Sequence, residues 1–180
     1  MYMAIRKIVT IPDPVLRVKA KKVSSVGEEE KKLAQDLLDT LKVAKDPEGA
    51  GIAATQIGVS KKMCVVRNFF PDPAKNGEYA YEDYVLINPK IGSASKETEI
   101  DYEGCLSVPN TYGKVERYKK IKVDALDISG ERIKIKAQDF FARTIQHEID
   151  HLEGILFTDR VIGNVLTEQE MDVMYAEEEK

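Results

Sequence analysis

The amino-acid sequence predicts an α+β fold, in which antiparallel β-sheets pack around a central helix, with further helices near the N-terminus and the C-terminus. Two observations lead to this prediction. Segments of strand-like composition occupy the middle of the chain, and the last two are joined by a turn at Ser129-Gly130, which favours antiparallel pairing. Helical patterns, each with a capping signal, precede and follow these segments.

The N-terminal helix is indicated by a capping signal and by a regular leucine pattern. Ser25 and Glu28 have the spacing of a capping box, in which each side chain bonds the backbone of the other residue. The leucines that follow recur at intervals that place them on one helical face: Leu33, Leu37, Leu38 and Leu41. We expect this helix to bury that face and to end near Asp46-Pro47, because proline does not continue a helix.

Four segments rich in apolar and β-branched residues are predicted to form strands. They are Met63 to Val66, Tyr84 to Ile87, Ile121 to Leu126 and Arg132 to Ala137. Between the first two, Asn68 to Asp83 contains prolines and a glycine, and it is predicted to be a long loop. The small residues between positions 49 and 56 predict a place where the backbone lies close to a ligand or to another backbone.

Two further helices are expected in the last quarter of the chain. Asp139 is placed to cap a central helix from Phe140 to about Leu152, which should end at Gly154. Thr167 and Glu170 have the spacing of a second capping box, and they predict the start of a C-terminal helix.

Length and composition limit the classes of protein to which the chain can belong. The chain has 180 residues, of which 43% are hydrophobic and 32% charged, and this is ordinary usage for one globular domain, here expected to span residues 1–180. The net charge of -4 and the lack of a lysine-arginine block argue against binding to nucleic acid or to an anionic membrane. We see no leader and no membrane-spanning run, so we expect a protein of the bacterial cytoplasm.

The two histidines of the chain carry the clearest chemical signal. His147 and His151 are four residues apart on the predicted central helix, and Glu148 follows the first of them directly. Residues four apart lie on one helical face with their Cβ atoms about 5–6 Å apart, so both imidazoles can bind one ion. Glu148 then lies beside the open coordination position as a base. The central helix is therefore predicted to bind metal; incidental surface histidines are the alternative.

A catalytic site of this kind needs a third protein ligand. One set of candidates, as in metallopeptidases, is the acidic residues of the C-terminal helix: Glu168, Glu170 and Glu177. Such a run of acids is also typical of a solvated helical face. The other candidate is Cys105, although a lone thiol is more often part of the core. The residues by themselves leave both open.

Three segments resemble the three signature motifs of the peptide deformylase family, in the order of that family. They are Gly51-Ile52-Ala53-Ala54-Thr55-Gln56, Glu103-Gly104-Cys105-Leu106-Ser107 and Gln146-His147-Glu148-Ile149-Asp150-His151. The resemblance extends to the opening segment Ile11 to Arg17 and to the segment Gly154 to Phe157, so it covers nearly the whole chain. It implies one divalent metal ion, most often Fe²⁺, with Zn²⁺, Ni²⁺ or Co²⁺ as substitutes. The implied ligands are Cys105, His147 and His151.

The activity implied by the resemblance is hydrolysis of the N-formyl group of N-formylmethionyl peptides, with release of formate. In that reaction Glu148 moves the proton, while the Gln56 side-chain amide and the Leu106 backbone N–H stabilise the negative charge on the formyl oxygen. By position in the family pattern, six residues are expected near the methionine pocket: Ala50, Gly51, Glu103, Gly104, Phe140 and Thr144.

Two other functions stay open from the residues alone, and one partner is implied by the resemblance. A small metallopeptidase would use a glutamate of the C-terminal helix as its third ligand, and a non-catalytic relative would bind only metal or peptide. The ribosome near the exit of the nascent chain is the implied partner. The acidic C-terminal segment predicts repulsion from ribosomal RNA at that end of the chain.

Overall fold

The computed structural model describes residues 5–44, 49–74 and 78–178. Its helices are α1 (Glu28–Val43), α2 (Asp139–Leu152) and α3 (Glu168–Glu178). Its strands are β1 (Gly51–Ala53), β2 (Met63–Pro71), β3 (Tyr79–Ala94), β4 (Thr98–Cys105), β5 (Val108–Tyr118), β6 (Lys120–Leu126), β7 (Arg132–Gln138) and β8 (Leu166–Thr167). Short 3₁₀ turns lie at Pro14–Arg17, Ala54–Ile57 and Phe157–Asp159.

The strands form two antiparallel sheets. The larger sheet has the order β1-β2-β3-β6-β7, and the smaller has the order β4-β5-β8. The predicted α+β class with antiparallel sheets is confirmed, and so are the four predicted strands, which lie within β2, β3, β6 and β7. Among the described residues, no helix combines the length and the apolar composition needed to cross a membrane.

The two long helices cover opposite faces of the larger sheet, because successive side chains of a strand point to opposite faces. Cys64 and Val66 of β2 pack with Ile145 of α2 in one buried cluster. Met63 and Val65 of the same strand pack on the other face, with α1 residues that include Leu33, Leu37 and Leu41. Helix α2 is thereby held centrally, against the sheet on one side and near β4 and β5 on the other.

The long loop predicted for Asn68 to Asp83 is wrong. Strands β2 and β3 continue through most of this segment as a hairpin, in which Asn68 pairs with Glu82 and Phe69 with Tyr81. Aromatic cross-strand contacts support the pairing, since the Phe69 and Tyr81 ring centroids lie 6.1 Å apart. The described prolines, Pro71 and Pro73, fall at or beyond the end of β2, where they break few ladder bonds.

Two predicted helix starts also need correction. Helix α1 begins after Gly27, and the Glu30 carboxylate accepts a hydrogen bond from the Gly27 N–H (3.0 Å), so the box of Ser25 and Glu28 is wrong. The helix ends at Val43; the predicted end at Asp46-Pro47 lies outside the described residues. In α2 the capping residue is Gln138, while Asp139 is the first helical residue and makes no side-chain cap.

The other two helix signals are confirmed. Helix α2 ends before Gly154, which has a φ of 76° and whose added Cβ would lie 2.6 Å from the Arg17 carbonyl oxygen. At the start of α3, the Glu170 carboxylate accepts hydrogen bonds from the backbone N–H (2.7 Å) and the hydroxyl (2.8 Å) of Thr167.

Candidate active site

Three of the predicted site residues meet between α2 and the end of β4. The ligand atoms of Cys105, His147 and His151 all lie within 4.8 Å of one another, and Cys105 Sγ is 3.2 Å from His151 Nε2. The histidines lie one turn apart on α2, with ring centroids 4.9 Å apart. Cys105 reaches them because the register of β4 and β5 shifts between Gly104 and Cys105, and such a bulge redirects a side chain.

The donor set fits a divalent metal ion. One sulfur and two imidazole nitrogens suit a borderline-soft ion, and four-coordinate sites of this kind keep a position for water. The His147 Nδ1 atom is 3.0 Å from a carboxylate oxygen of Glu103, and a bond of this kind leaves the other ring nitrogen free to bind metal. Among the described side chains, these three residues form a group whose potential ligand atoms lie close together. Neither Glu168 nor Glu170 belongs to this group.

Gln56 and Glu148 lie beside this group, and both are buried. The Gln56 Oε1 atom accepts a hydrogen bond from the Ala53 N–H (2.8 Å), which turns its Nε2 atom towards Cys105 Sγ, 3.6 Å away. The Glu148 side chain is only 2% exposed, yet its Oε2 atom has no hydrogen-bond partner in the described structure. A buried carboxylate oxygen without a partner is unusual and marks a place where a ligand group is expected.

One cavity of ≈ 410 Å³ connects these residues, a size suited to a short peptide. The predicted catalytic residues Gln56, Leu106 and Glu148 line it together with Cys105 and His147. So do the six residues expected near the methionine pocket: Ala50, Gly51, Glu103, Gly104, Phe140 and Thr144. His151 is not among the residues that line this cavity, and it is only 1% exposed.

The sequence model of the polypeptide deformylase family matches residues 5–165. The chain belongs to the polypeptide deformylase family. The peptide deformylase of Thermomicrobium roseum is 46% identical over 159 residues, which cover 88% of this chain and 87% of that one. The peptide deformylase of Dictyoglomus thermophilum is 41% identical over 166 residues, covering 92% and 99%.

Solved deformylases share the fold. The peptide deformylase of Thermotoga maritima is 35% identical with a TM-score of 0.75, and the match covers 88% of this chain and 99% of that one. A class I type b peptide deformylase of Acinetobacter baumannii, crystallised with Met-Ala-Ser bound, is 34% identical with a TM-score of 0.77, covering 89% and 100%. The predicted family, and with it the prediction of an enzyme of the hydrolase class, is confirmed.

In this member of the deformylase family, a buried ionic network supports the candidate metal-ligand group. Glu103 receives hydrogen bonds from Arg117 at both carboxylate oxygens (2.9 Å each) and from Arg143 (2.9 Å). Arg117 also donates to Asp150 (2.6 Å), one residue before His151. Burial alone would raise the pKa of Glu103, but the bonds from Arg117 and His147 outweigh it and hold that pKa well below its usual range.

The network changes the interpretation of Glu103 and adds residues that the sequence analysis missed. Glu103 lines the cavity, but its carboxylate bonds protein groups, so its role towards substrate stays a prediction. Arg117 and Arg143 were missed, although each is about 5% exposed. A sequence signal existed for Arg117, because it follows Gly113 and Val115 at the buried alternate positions of β5.

The pKa values of the ionisable groups in the deformylase site are shifted in different directions. Burial raises the pKa of Glu148 to about 7. Burial likewise holds the pKa of His151 well below its usual value, so this imidazole is neutral and able to bind metal. Burial would lower the pKa of His147 too, but Cys105 and Glu103 outweigh it and raise that pKa well above its usual value. The anionic surroundings thus favour a cation at this point.

Proposed function

We propose that this chain, as a single catalytic domain over residues 1–180, removes the N-formyl group from the N-terminal formylmethionine of newly made polypeptides and releases formate. The observation that carries the proposal is the cavity in which the unpartnered Glu148 carboxylate oxygen lies beside Gln56 and the cysteine-histidine group. Membership of the polypeptide deformylase family supports it. The Met-Ala-Ser bound by the relative from Acinetobacter baumannii is a peptide with a free N-terminal methionine, as in the product.

The proposed ligands of one divalent ion are Cys105, His147 and His151. When bound there, such an ion acts as a Lewis acid that activates water for attack. We propose Fe²⁺, with Zn²⁺, Ni²⁺ or Co²⁺ able to substitute, since a thiolate with two imidazoles accepts all four. The Glu103 carboxylate orients His147 through the Nδ1 atom.

Glu148 is proposed to move the proton. Its carboxylate takes a proton from the attacking water as the oxygen of that water bonds the formyl carbon. It then gives this proton to the amine nitrogen as the carbon–nitrogen bond breaks, so that formate and a free N-terminus result. With a pKa raised by burial to about 7, the carboxyl group can both accept and return a proton near neutral pH.

Negative charge develops on the formyl oxygen during the attack, and two neutral donors are proposed to stabilise it. One is the Gln56 amide, which lines the cavity; its Oε1 atom bonds the Ala53 N–H, and its Nε2 atom lies 3.6 Å from Cys105 Sγ and 3.2 Å from the Ser107 hydroxyl. The other is the backbone N–H of Leu106, a residue that lines the same cavity. Donors fixed before the reaction lose little free energy in reorienting.

The proposed setting is the cytoplasm of a bacterium, where N-formylmethionyl chains are made, with the ribosome near the exit of the nascent chain as partner. The curated relatives named above come from bacteria, and this supports the setting. The metallopeptidase alternative has no comparable support, because Glu168 and Glu170 lie outside the described ligand group and the Glu177 side chain lies outside the described residues.

The test is formate release from formyl-Met-Ala-Ser by protein purified anaerobically with Fe²⁺. We expect the wild type to release formate and the Glu148→Gln variant to lose about 10²–10⁴-fold in kcat, the range typical of a general acid-base group. Metal content, measured by mass spectrometry, should be the same in both. A folded, metal-loaded wild type that releases no formate would overturn the proposal.

A further inference from the structure

The described helices leave one side of the larger sheet uncovered at β6 and β7. The alternate residues Ile121, Val123 and Ala125 of β6 pack towards α2 in a buried cluster. The residues between them therefore point to the other side of the sheet, the side of α1. Of β6, the described cluster under α1 includes only Leu126, at the end of the strand, and it includes no residue of β7. The outward residues of both strands before that point are exposed.

This exposed side of the sheet is strongly basic. Residues directly opposite each other on neighbouring strands share a face, and Asp124 of β6 pairs with both Lys90 and Lys134. Among the outward residues of β6 and β7, all of which the structure describes, Asp124 is the single acid. The chain as a whole, by contrast, has a net charge of -4. We call the six cations on this side the basic face: Lys90, Lys120, Lys122, Arg132, Lys134 and Lys136.

The sequence hides this surface because cations alternate with apolar residues. From Lys120 to Ala125, and again from Arg132 to Ala137, every second residue is apolar. The sequence therefore shows no block of lysine and arginine. A strand places every second side chain on one face, so folding collects the separated charges into one surface. The net charge of the chain does not exclude a polyanionic partner at this surface.

Structural roles do not account for the basic face. Among the described side chains, Lys134 forms the one ion pair of these six cations, with Asp124 at 3.9 Å. Lys122 and Lys136 are direct cross-strand partners, and like charges in that arrangement destabilise a sheet. Lysines on an edge strand protect it from aggregation, which accounts for those of β7. This reason does not extend to Lys120 and Lys122, because β6 is an inner strand.

A groove of ≈ 440 Å³ lies at one end of the basic face. Lys120, Lys122 and Lys136 line it, together with Ser93 and Ser95 of and beside β3. The register of β3 and β6 shifts just before Ser93, which makes the sheet irregular at this point. The Ser95 hydroxyl is bonded within the fold, whereas Ser93 is exposed opposite Lys122. Lysine and serine side chains are donors that proteins commonly direct to phosphate oxygens.

The chemistry of the face favours a helical nucleic acid among polyanions. Surfaces that bind a membrane combine basic groups with apolar side chains that enter the lipid, but the exposed large hydrophobic residues include none between positions 119 and 138. Protein interfaces are depleted of lysine, whereas nucleic-acid interfaces are strongly positive. Unpaired bases stack on aromatic side chains, and this segment contains none. Lysines about 6.6 Å apart along two strands suit the closely spaced phosphates of a helix.

We propose that the basic face binds the phosphate backbone of an RNA helix at the surface of the ribosome. This goes beyond the proposed reaction and rests on the proposed function only for the choice of the ribosome as the source of the RNA. None of the six cations lines the active-site cavity, so binding there leaves the cavity accessible. Helix α3, whose first turn is acidic, packs against β5 and β8 of the smaller sheet and is not part of this surface.

The experiment measures, by fluorescence anisotropy, how metal-loaded full-length protein binds a labelled RNA duplex of about 20 base pairs. At about 50 mM salt we expect a Kd of about 1 μM, and a slope of about -4 to -5 for the logarithm of the binding constant against that of the salt concentration, the value for about five neutralised phosphates. Raising the salt to about 200 mM should therefore weaken binding by about 10²- to 10³-fold.

Removal of two central charges gives the decisive comparison. In Lys122→Gln/Lys136→Gln, the slope should become shallower by about 2, and the affinity at low salt should fall by about 10- to 100-fold. The melting temperature should not fall, because the change removes two opposed like charges. The matched control Lys7→Gln/Lys42→Gln makes the same change in net charge at exposed positions outside the face, and it should keep the wild-type affinity and slope.

Co-sedimentation with purified bacterial ribosomes tests the source of the RNA. The wild type and the control should pellet with ribosomes, while Lys122→Gln/Lys136→Gln should need about 10-fold more ribosomes for the same bound fraction. Binding to the duplex without binding to ribosomes would overturn the ribosome as the source.

Three other results would overturn the assignment to RNA. The first is an absence of binding to the duplex at low salt, and the second is equal binding by the wild type and Lys122→Gln/Lys136→Gln. The third is binding to vesicles with about 30% anionic lipid, or to poly-glutamate, as tight as binding to the duplex, since the face would then recognise a membrane or an acidic protein as well. Formate release from formyl-Met-Ala-Ser should be equal in all three proteins. Its absence from the wild type would overturn the proposed function and leave the RNA measurements unaffected.

Discussion

Space around the Glu148 carboxylate depends on a single residue of β1. A Cβ atom added to Gly51 would lie 2.6 Å from Glu148 Oε1 and 2.8 Å from Glu148 Cγ. Glu148 is buried, so its side chain has little room to move aside. The first motif therefore needs a glycine at this position. Because glycine has no Cβ atom, the Glu148 carboxylate of α2 can lie close to the backbone of β1.

Replacing this glycine should impair the reaction more than the fold. In Gly51→Ala, we expect the displaced Glu148 carboxylate to lower kcat/KM for formyl-Met-Ala-Ser by about 100-fold, the effect of a misplacement of about 1 Å. Metal content should stay near that of the wild type, while the buried clash should lower the melting temperature by only several degrees. The control is Gly27→Ala, where the added Cβ meets only Glu30 Oε2 at 3.5 Å. Wild-type activity in Gly51→Ala would show that this position does not constrain the base.

At the scale of secondary-structure elements, the buried ionic network joins three of them. Glu103 comes from β4, Arg117 from β5, and Arg143, His147 and Asp150 from α2. The Glu103 carboxylate binds both arginines and the His147 ring, so it connects the smaller sheet to the metal-ligand helix. Removing the charge of one member of such a buried group leaves the charges of the others unpaired.

The Glu103→Gln variant tests this connection. The amide keeps the shape of the side chain but removes the charge that faces two buried arginines, so we expect the free energy of unfolding to fall by about 3–5 kcal/mol. The orientation of His147 should also be lost, and metal affinity should fall by about 10- to 100-fold in competition with a chromophoric chelator. Glu116→Gln, in which an exposed carboxylate that bonds Thr98 is changed, should leave the affinity unaltered. Unchanged affinity in Glu103→Gln would show that the bond to His147 does not tune the site.

The elements differ in how far local sequence determines them. The end of α2 at Gly154 and the start of α3 at Thr167 depend on contacts within a few residues, and both were predicted. Strand β4 was missed because most of its residues are exposed, so it lacks an alternating apolar pattern. Its strand conformation depends on its pairing with β5. The hairpin of β2 and β3 was missed because the prolines near its tip resemble a loop.

For the molecule as a whole, the candidate site lies where the two sheets meet the central helix. Gln56 follows β1 of the larger sheet, Cys105 ends β4 of the smaller one, and the histidines lie on α2. The grouping of Cys105, His147 and His151 could be predicted because a helical spacing and a short motif identify its members. Arg143 could not, since only tertiary packing brings its guanidinium to Glu103.

Because the proposed ligands come from two separate parts of the fold, metal binding should stabilise the whole molecule. An ion that binds only the folded state at a thousand times its Kd adds about 4 kcal/mol to the free energy of unfolding. In a chain of this size, that raises the melting temperature by about 8–16 °C, measured by calorimetry before and after treatment with a chelator.

In Cys105→Ser, the weaker ligand should reduce this difference to a few degrees. Cys64→Ala removes the other cysteine, which is buried in β2, and should lower both melting temperatures while keeping the difference between them. If Cys105→Ser instead keeps the full metal-dependent shift, the ion is held by the histidines without the thiol, and the smaller sheet is not tied to α2 through it.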